Sequence, residues 1–153
     1  MKAPGRTLRL ILFVSLGTLM MVSQAQAKES CHKINAKGVG QDLGGGVTEA
    51  QIIGGGLLHG TTEGNFTVTG VSGTVASFVG TVEFTTKHGT LTVTVEGTLD
   101  LATGEFSASG TVTDATGKLA GATGDLSLEG VEDFSDGSFV EEVTGEICVD
   151  LGP

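Results

Sequence analysis

Apolar and polar residues alternate with period two through the second half of the chain. In the run Leu91–Leu101, the positions Leu91, Val93, Val95, Gly97, Leu99 and Leu101 share one parity, and Thr92, Thr94, Glu96, Thr98 and Asp100 share the other. Successive strand side chains point to opposite faces, so the run reads as a half-buried strand. Phe106, Ala108, Gly110 and Val112 alternate with Ser107, Ser109, Thr111 and Thr113 in the same way. Near the C-terminus Phe139, Val143, Ile147 and Val149 share a parity that Glu141 and Gly145 interrupt. No segment beyond residue 27 shows a convincing helical face, and the content of Thr, Val and Gly disfavours long helices.

Turn signals separate these runs at hairpin spacing. Lys87-His-Gly89, Ala102-Thr-Gly104, Ala115-Thr-Gly117 and Ser135-Asp-Gly137 each place glycine where a tight turn needs positive φ. The pattern predicts strands over 31–37, 50–58, 64–71, 74–86, 90–101, 105–114, 119–130 and 138–150, with a glycine-rich loop over Gly38–Gly46. Eight strands joined by short hairpins make an antiparallel meander. Its apolar face must be covered, by closure into a barrel or by stacking as a sandwich. Open edges on Thr- and Val-rich strands would invite pairing between molecules, which favours closure.

Residues 1–27 have the three parts of a secretory signal. Lys2, Arg6 and Arg9 precede an apolar core from Leu10 to Val22, and Ala25-Gln26-Ala27 supplies small residues at a cleavage site. The apolar core is short for a membrane span, so the expected product is a secreted or periplasmic domain over 28–153 without stable membrane insertion. Cleavage would leave five Lys, no Arg and all 18 acidic residues, a formal charge of −13. Nucleic-acid binding needs cationic surface to replace phosphate counterions, and a polybasic membrane patch needs the same; the charge excludes both.

The segment Ala115-Thr-Gly-Lys-Leu-Ala-Gly-Ala-Thr-Gly124, followed by Asp125-Leu-Ser-Leu-Glu-Gly130, resembles a signature of the allene oxide cyclase barrel-like proteins. That family includes allene oxide cyclases, dirigent proteins and exported bacterial proteins, and its form is roughly G-T-G-[RK]-[FL]-x-G-A-x-G. Here Ala115 replaces a common Gly and Leu119 a common Phe. The resemblance implies a single antiparallel eight-stranded meander barrel of calycin-like type. It also implies an alternative activity, isomerisation or cyclisation of a lipid-derived substrate. No catalytic residue carries over, because none of the cyclase residues aligns. In such a barrel the first and last strands are neighbours, so Cys31 and Cys148 are expected to form a disulfide in an oxidising compartment. Cys148 has the parity opposite to Ile147 and Val149, which places it outside the main core.

Few constellations carry chemistry. His59-Gly60-Thr61 and His88-Gly89-Thr90 repeat a tripeptide, but their spacing is no local metal motif, and turn residues before glycine are the simpler reading. The acids Glu129, Glu132, Asp133 and Asp136 surround a turn without a calcium-loop pattern. No metal and no cofactor are expected. Gly38-Val-Gly40-Gln-Asp-Leu43 fails the dinucleotide fingerprint at its third glycine, and no Gly-x-Ser-x-Gly elbow occurs.

The expected function is therefore a non-catalytic exported barrel, structural or holding a small hydrophobic ligand, with the cyclase-like enzyme as alternative and an adhesive, assembly-forming role as a third reading. The candidate lining residues are Leu91, Val93, Val95, Leu99, Phe106, Val112, Leu126, Leu128, Phe139, Val143 and Ile147, with Gly97, Gly110 and Gly145 expected to leave room among them. Glu141 is the one acid that shares parity with Phe139, Val143 and Ile147. A carboxyl facing a cavity would raise the enzyme reading, since a buried acid with raised pKa is a functional candidate.

Overall fold

The computed structural model describes residues 29–152; the expected signal segment lies outside them. Eight strands follow one another: β1 (Ser30–Gly44), β2 (Val47–Gly54), β3 (Gly60–Ser72), β4 (Val75–Thr86), β5 (Gly89–Asp100), β6 (Glu105–Ala115), β7 (Thr123–Asp133) and β8 (Ser138–Val149). Each pairs antiparallel with the next and β8 pairs with β1, which closes the barrel. Two 3₁₀ turns, Gly56–Leu58 and Gly117–Leu119, interrupt the hairpin rhythm, and no α-helix is present among the described residues.

Several predicted boundaries are corrected. The strand predicted over 50–58 runs over Val47–Gly54 instead, because Gly56–Leu58 form the first 3₁₀ turn, and the strand predicted over 64–71 begins at Gly60. The stretch Gly38–Gly46 is no loop: β1 continues through Gly38 and Gly40 to Gly44, and only Gly44-Gly45-Gly46, all at positive φ, turn the chain. Glycine signals a turn in sequence, but Gly38 and Gly40 serve close packing. They face Glu141 and Phe139 of β8 directly across the ladder, and a Cβ at Gly38 would lie 2.6 Å from Glu141 Cγ. The predicted strand over 119–130 begins late, at Thr123, because Leu119 belongs to the second 3₁₀ turn. Leu101, assigned to the inner parity, sits in the β5–β6 turn and is exposed.

The meander gives the barrel two unlike ends. The β1–β2, β3–β4, β5–β6 and β7–β8 hairpins gather at one end; the start of β1, the end of β8 and the two 3₁₀ turns gather at the other. Leu57 and Leu58 from the first turn and Leu119 from the second are buried and seal that end. They pack with Ile34, Ile52, Phe84, Leu91, Val93, Ile147 and Val149 into a solid core. Each such side chain contributes roughly 1.5–3 kcal/mol by leaving water.

The other half of the barrel uses a different device. Four inward phenylalanines each face a glycine on the adjacent strand: Phe66 opposite Gly80, Phe78 opposite Gly97, Phe106 opposite Gly130 and Phe139 opposite Gly40. The rings lie over the missing side chains; Phe78 Cζ is 2.7 Å and Phe66 Cδ1 2.6 Å from where a Cβ of Gly97 or Gly80 would stand. Pairing a ring with a glycine shields strand backbone and lets the wall coil tightly.

Cys31 and Cys148 are cross-strand partners on β1 and β8 and form a disulfide. Cys31 is exposed and Cys148 half-buried, so the bond staples the outer wall. Such a bond is consistent with an extracellular or otherwise oxidising compartment.

Candidate functional site

The open half of the barrel contains a cavity of about 280 Å³, to which every strand contributes. Phe66, Val68, Phe78, Val82, Val95, Leu99, Phe106, Ala108, Leu128 and Phe139 form its apolar walls. Phe66 and Phe78 meet edge to face at 5.3 Å, and Phe106 and Phe139 do so at 6.0 Å, two arrangements that fix ring orientation. Thr48, Thr62 and Glu141 supply the polar groups within, while Asp42 and Glu132 stand toward the mouth.

The twelve sequence candidates separate into two groups. Val95, Leu99, Phe106, Leu128, Phe139 and Glu141 line the cavity, whereas Leu91, Val93, Val112, Leu126, Val143 and Ile147 pack in or against the solid core. Parity identifies the inward face but says nothing about distance along the barrel axis, so it could not separate the halves. The expectation that glycines leave room is corrected. Gly97 is filled by Phe78 and Ala108, Gly145 is exposed, and a Cβ at Gly110 would collide with the Thr94 carbonyl and stand 2.7 Å from Val95 Cγ1. The space comes instead from Ala108, Gly46 and the splayed rings.

Phe66, Val68, Phe78, Val82 and Ala108 also wall the cavity and lie outside the candidates read from sequence. The signal for Phe78 and Val82 lies in the alternation of Ala76, Phe78, Gly80, Val82 and Phe84 with Ser77, Val79, Thr81 and Glu83, and that for Ala108 in its shared parity with Phe106 and Val112. Thr48 and Thr62 carried no signal, because threonine occupies either face of a strand. Asp42 was hidden by the loop assignment of Gly38–Gly46.

Glu141 is the chemical centre of the cavity. It is 8 % exposed, and with Thr62 it makes up the buried polar residues of the described chain. Gly38 on β1 and Gly130 on β7 flank it in the ladder, so its carboxyl lies over backbone that carries no side chain. Burial pushes its pKa up from 4.5 to about 7, with no hydrogen bond opposing the effect. No fully enclosed side-chain oxygen or nitrogen among the described residues lacks a partner, so the carboxyl oxygens keep contact with the cavity space. The group can thus change charge near neutral pH inside an aromatic chamber.

The rim is acidic too. Asp42 Oδ1 accepts from the Gly44 N–H at 2.7 Å, and the Asp42 N–H donates to the Gly137 carbonyl at 2.8 Å, which ties β1 to the β7–β8 hairpin. Burial, and then the charge and hydrogen bonding of Asp42, push the Glu132 carboxyl up. A larger concavity of about 790 Å³ on the outer wall is an open trough along Thr94, Ser109, Asp125 and Glu146 and offers no enclosed chamber. Cys31, Cys148 and Glu146 come together on the outer wall, but the two sulfurs are bonded to each other and unavailable to a metal. Comparison with known proteins gives no significant match to a family model, a curated protein or a solved structure.

Proposed function

We propose that this protein is an exported binding barrel that takes one small, largely apolar molecule into the open half of its interior. The observation that carries this reading is the contrast between the two halves. One is packed solid around Leu58, Leu91 and Leu119; the other holds a chamber walled by four phenylalanines, with Asp42, Gly46 and Glu132 toward the hairpin end. Small barrels ordinarily fill their interior, and chambers of this kind are where ligands bind. Its volume of about 280 Å³ lies just below the ~300 Å³ at which ligand pockets usually begin, so only a small molecule fits and a long acyl chain would project from the mouth. The likeness of residues 115–130 to the allene oxide cyclase barrel-like proteins supports placing the barrel beside that family. The segment concerned is the connection that seals the closed end with Leu119.

A neutral apolar fluorophore, N-phenylnaphthylamine, tests the reading. The wild type should bind it saturably, and Ala108→Leu, which projects new methyl groups into the chamber, should abolish binding while the circular-dichroism spectrum is kept. Absence of saturable binding to the wild type would leave a purely structural barrel.

Glu141 favours one second reading, an isomerase or cyclase acting on a lipid-derived substrate. A carboxyl that titrates near pH 7 within a cavity can give or take a proton under physiological conditions. In that case Glu141→Gln should abolish turnover of a substrate that still binds.

A further inference from the structure

Charge is distributed unevenly along the barrel axis. The four hairpins around the mouth contain no basic residue, while Asp100, Glu105, Asp133 and Asp136 lie in or beside them. Lys87 and Lys118 lie in connections at the sealed end. No basic side chain lines the cavity, whose acids are Asp42 and Glu132 near the rim and Glu141 within. An approaching anion meets repulsion at the mouth and finds no counter-ion inside; a cation meets the reverse.

Resting on the apolar-ligand reading above, we infer that the ligand of this cavity is a small organic cation: an apolar, ring-sized body carrying a protonated amine, whose ammonium group pairs with Glu141 while the phenylalanine rings enclose the rest. Three observations select this class. Glu141 is more than nine-tenths buried, faces the cavity and receives no hydrogen bond from the described residues, so it lacks the partner that buried acids ordinarily have. Phe66, Phe78, Phe106 and Phe139 line the same cavity as Glu141, and the face of an aromatic ring attracts an ammonium group once water is excluded. A hard metal ion would require several oxygen ligands, but apart from Glu141 the inner chamber offers only Thr48 and Thr62. The volume accommodates about nine water-sized groups at ~30 Å³ each, enough for one ring with a short tail.

The fold has already stripped most of the water from Glu141, so the ligand has little of that carboxyl left to desolvate when it binds. The facing titratable groups are Asp42 on β1 and Glu132 on β7, both acids, and no basic group facing the cavity opposes them. Protons compete with the cation for Glu141, so affinity for an always-protonated amine should fall as pH drops through the titration of that carboxyl. With the carboxyl half-ionised near pH 7, the decrease from pH 8 to pH 6 is about tenfold.

Isothermal titration with phenethylamine, phenethyl alcohol and hydrocinnamate tests the inference on one scaffold with three head groups. At pH 8 the amine should bind the wild-type protein at least ~10-fold tighter than the alcohol, and the carboxylate should not bind, a discrimination that one charged contact can supply. The amine should lose about tenfold by pH 6 while the alcohol does not, and Glu141→Gln should bring the amine down to the level of the alcohol. The wild-type pH profile stands alone if that variant fails to fold. Equal binding of amine and alcohol, or preference for the carboxylate, overturns the cation inference and leaves the apolar chamber standing. Failure of the amine and the alcohol, together with N-phenylnaphthylamine, overturns both.

Discussion

Replacing Glu141 with Gln should make stability less dependent on pH, by an amount set by the cavity. Burial raises the carboxyl pKa from 4.5 to about 7. Below pH 4.5 the folded and unfolded states both carry the protonated acid, and the site contributes no pH-dependent penalty. Between pH 4.5 and about 7 the unfolded chain ionises while the folded one does not, so stability is lost progressively as pH rises. Above about 7 both states are ionised and the loss is complete. At about 1.4 kcal/mol per pH unit over this interval, the penalty accumulates to roughly 3 kcal/mol. Glutamine has nearly the same shape and does not titrate, so it escapes the penalty. Urea unfolding of the oxidised wild type and variant at pH 4 and pH 8 measures the difference. The variant should gain roughly 3 kcal/mol on the wild type across that range, a relative midpoint shift of ~1–3 M for typical urea slopes. A stability difference that stays constant from pH 4 to pH 8 would refute the assignment of Glu141 as a desolvated acid.

Two further outcomes follow from the wall of the barrel. Reducing the disulfide, or replacing both Cys31 and Cys148 with Ser, frees a loop spanning 117 positions and should cost about 5 kcal/mol in the chain-entropy model, read as a lower urea midpoint with little change in the folded spectrum. Gly110→Ala should lower stability by roughly 1–3 kcal/mol, because its Cβ meets the Thr94 carbonyl and Val95 across the ladder and the strands must part; an unchanged thermal midpoint would show that β5 and β6 are looser than described.

Much of the barrel is legible in the order of residues. Period-two alternation and glycine-centred turns are local properties, so eight strands, most of their boundaries and the inward parity of residues such as Val93, Phe139 and Ile147 follow without tertiary information. Glu141 stood out for the same reason, as an acid on an apolar parity. Pairing of Cys31 with Cys148 also follows once first and last strands are neighbours, which the observed β1–β8 register makes them.

What the order of residues left open is what depends on contacts between distant strands. Gly40 and Gly80 look like loop or weak-strand glycines in sequence; their role as seats for Phe139 and Phe66 exists only across a ladder whose register the closed sheet sets. The position of each inward side chain along the axis, solid core for Leu91 and chamber for Leu99, depends on which end the two 3₁₀ turns seal. Most of all, the gathering of Asp42, Glu132 and Glu141 around one aromatic cavity joins β1, β7 and β8, the two ends of the chain. Sequence supplied the acid at the inward position; closure of the sheet supplied its burial, its missing partner and the chamber it faces.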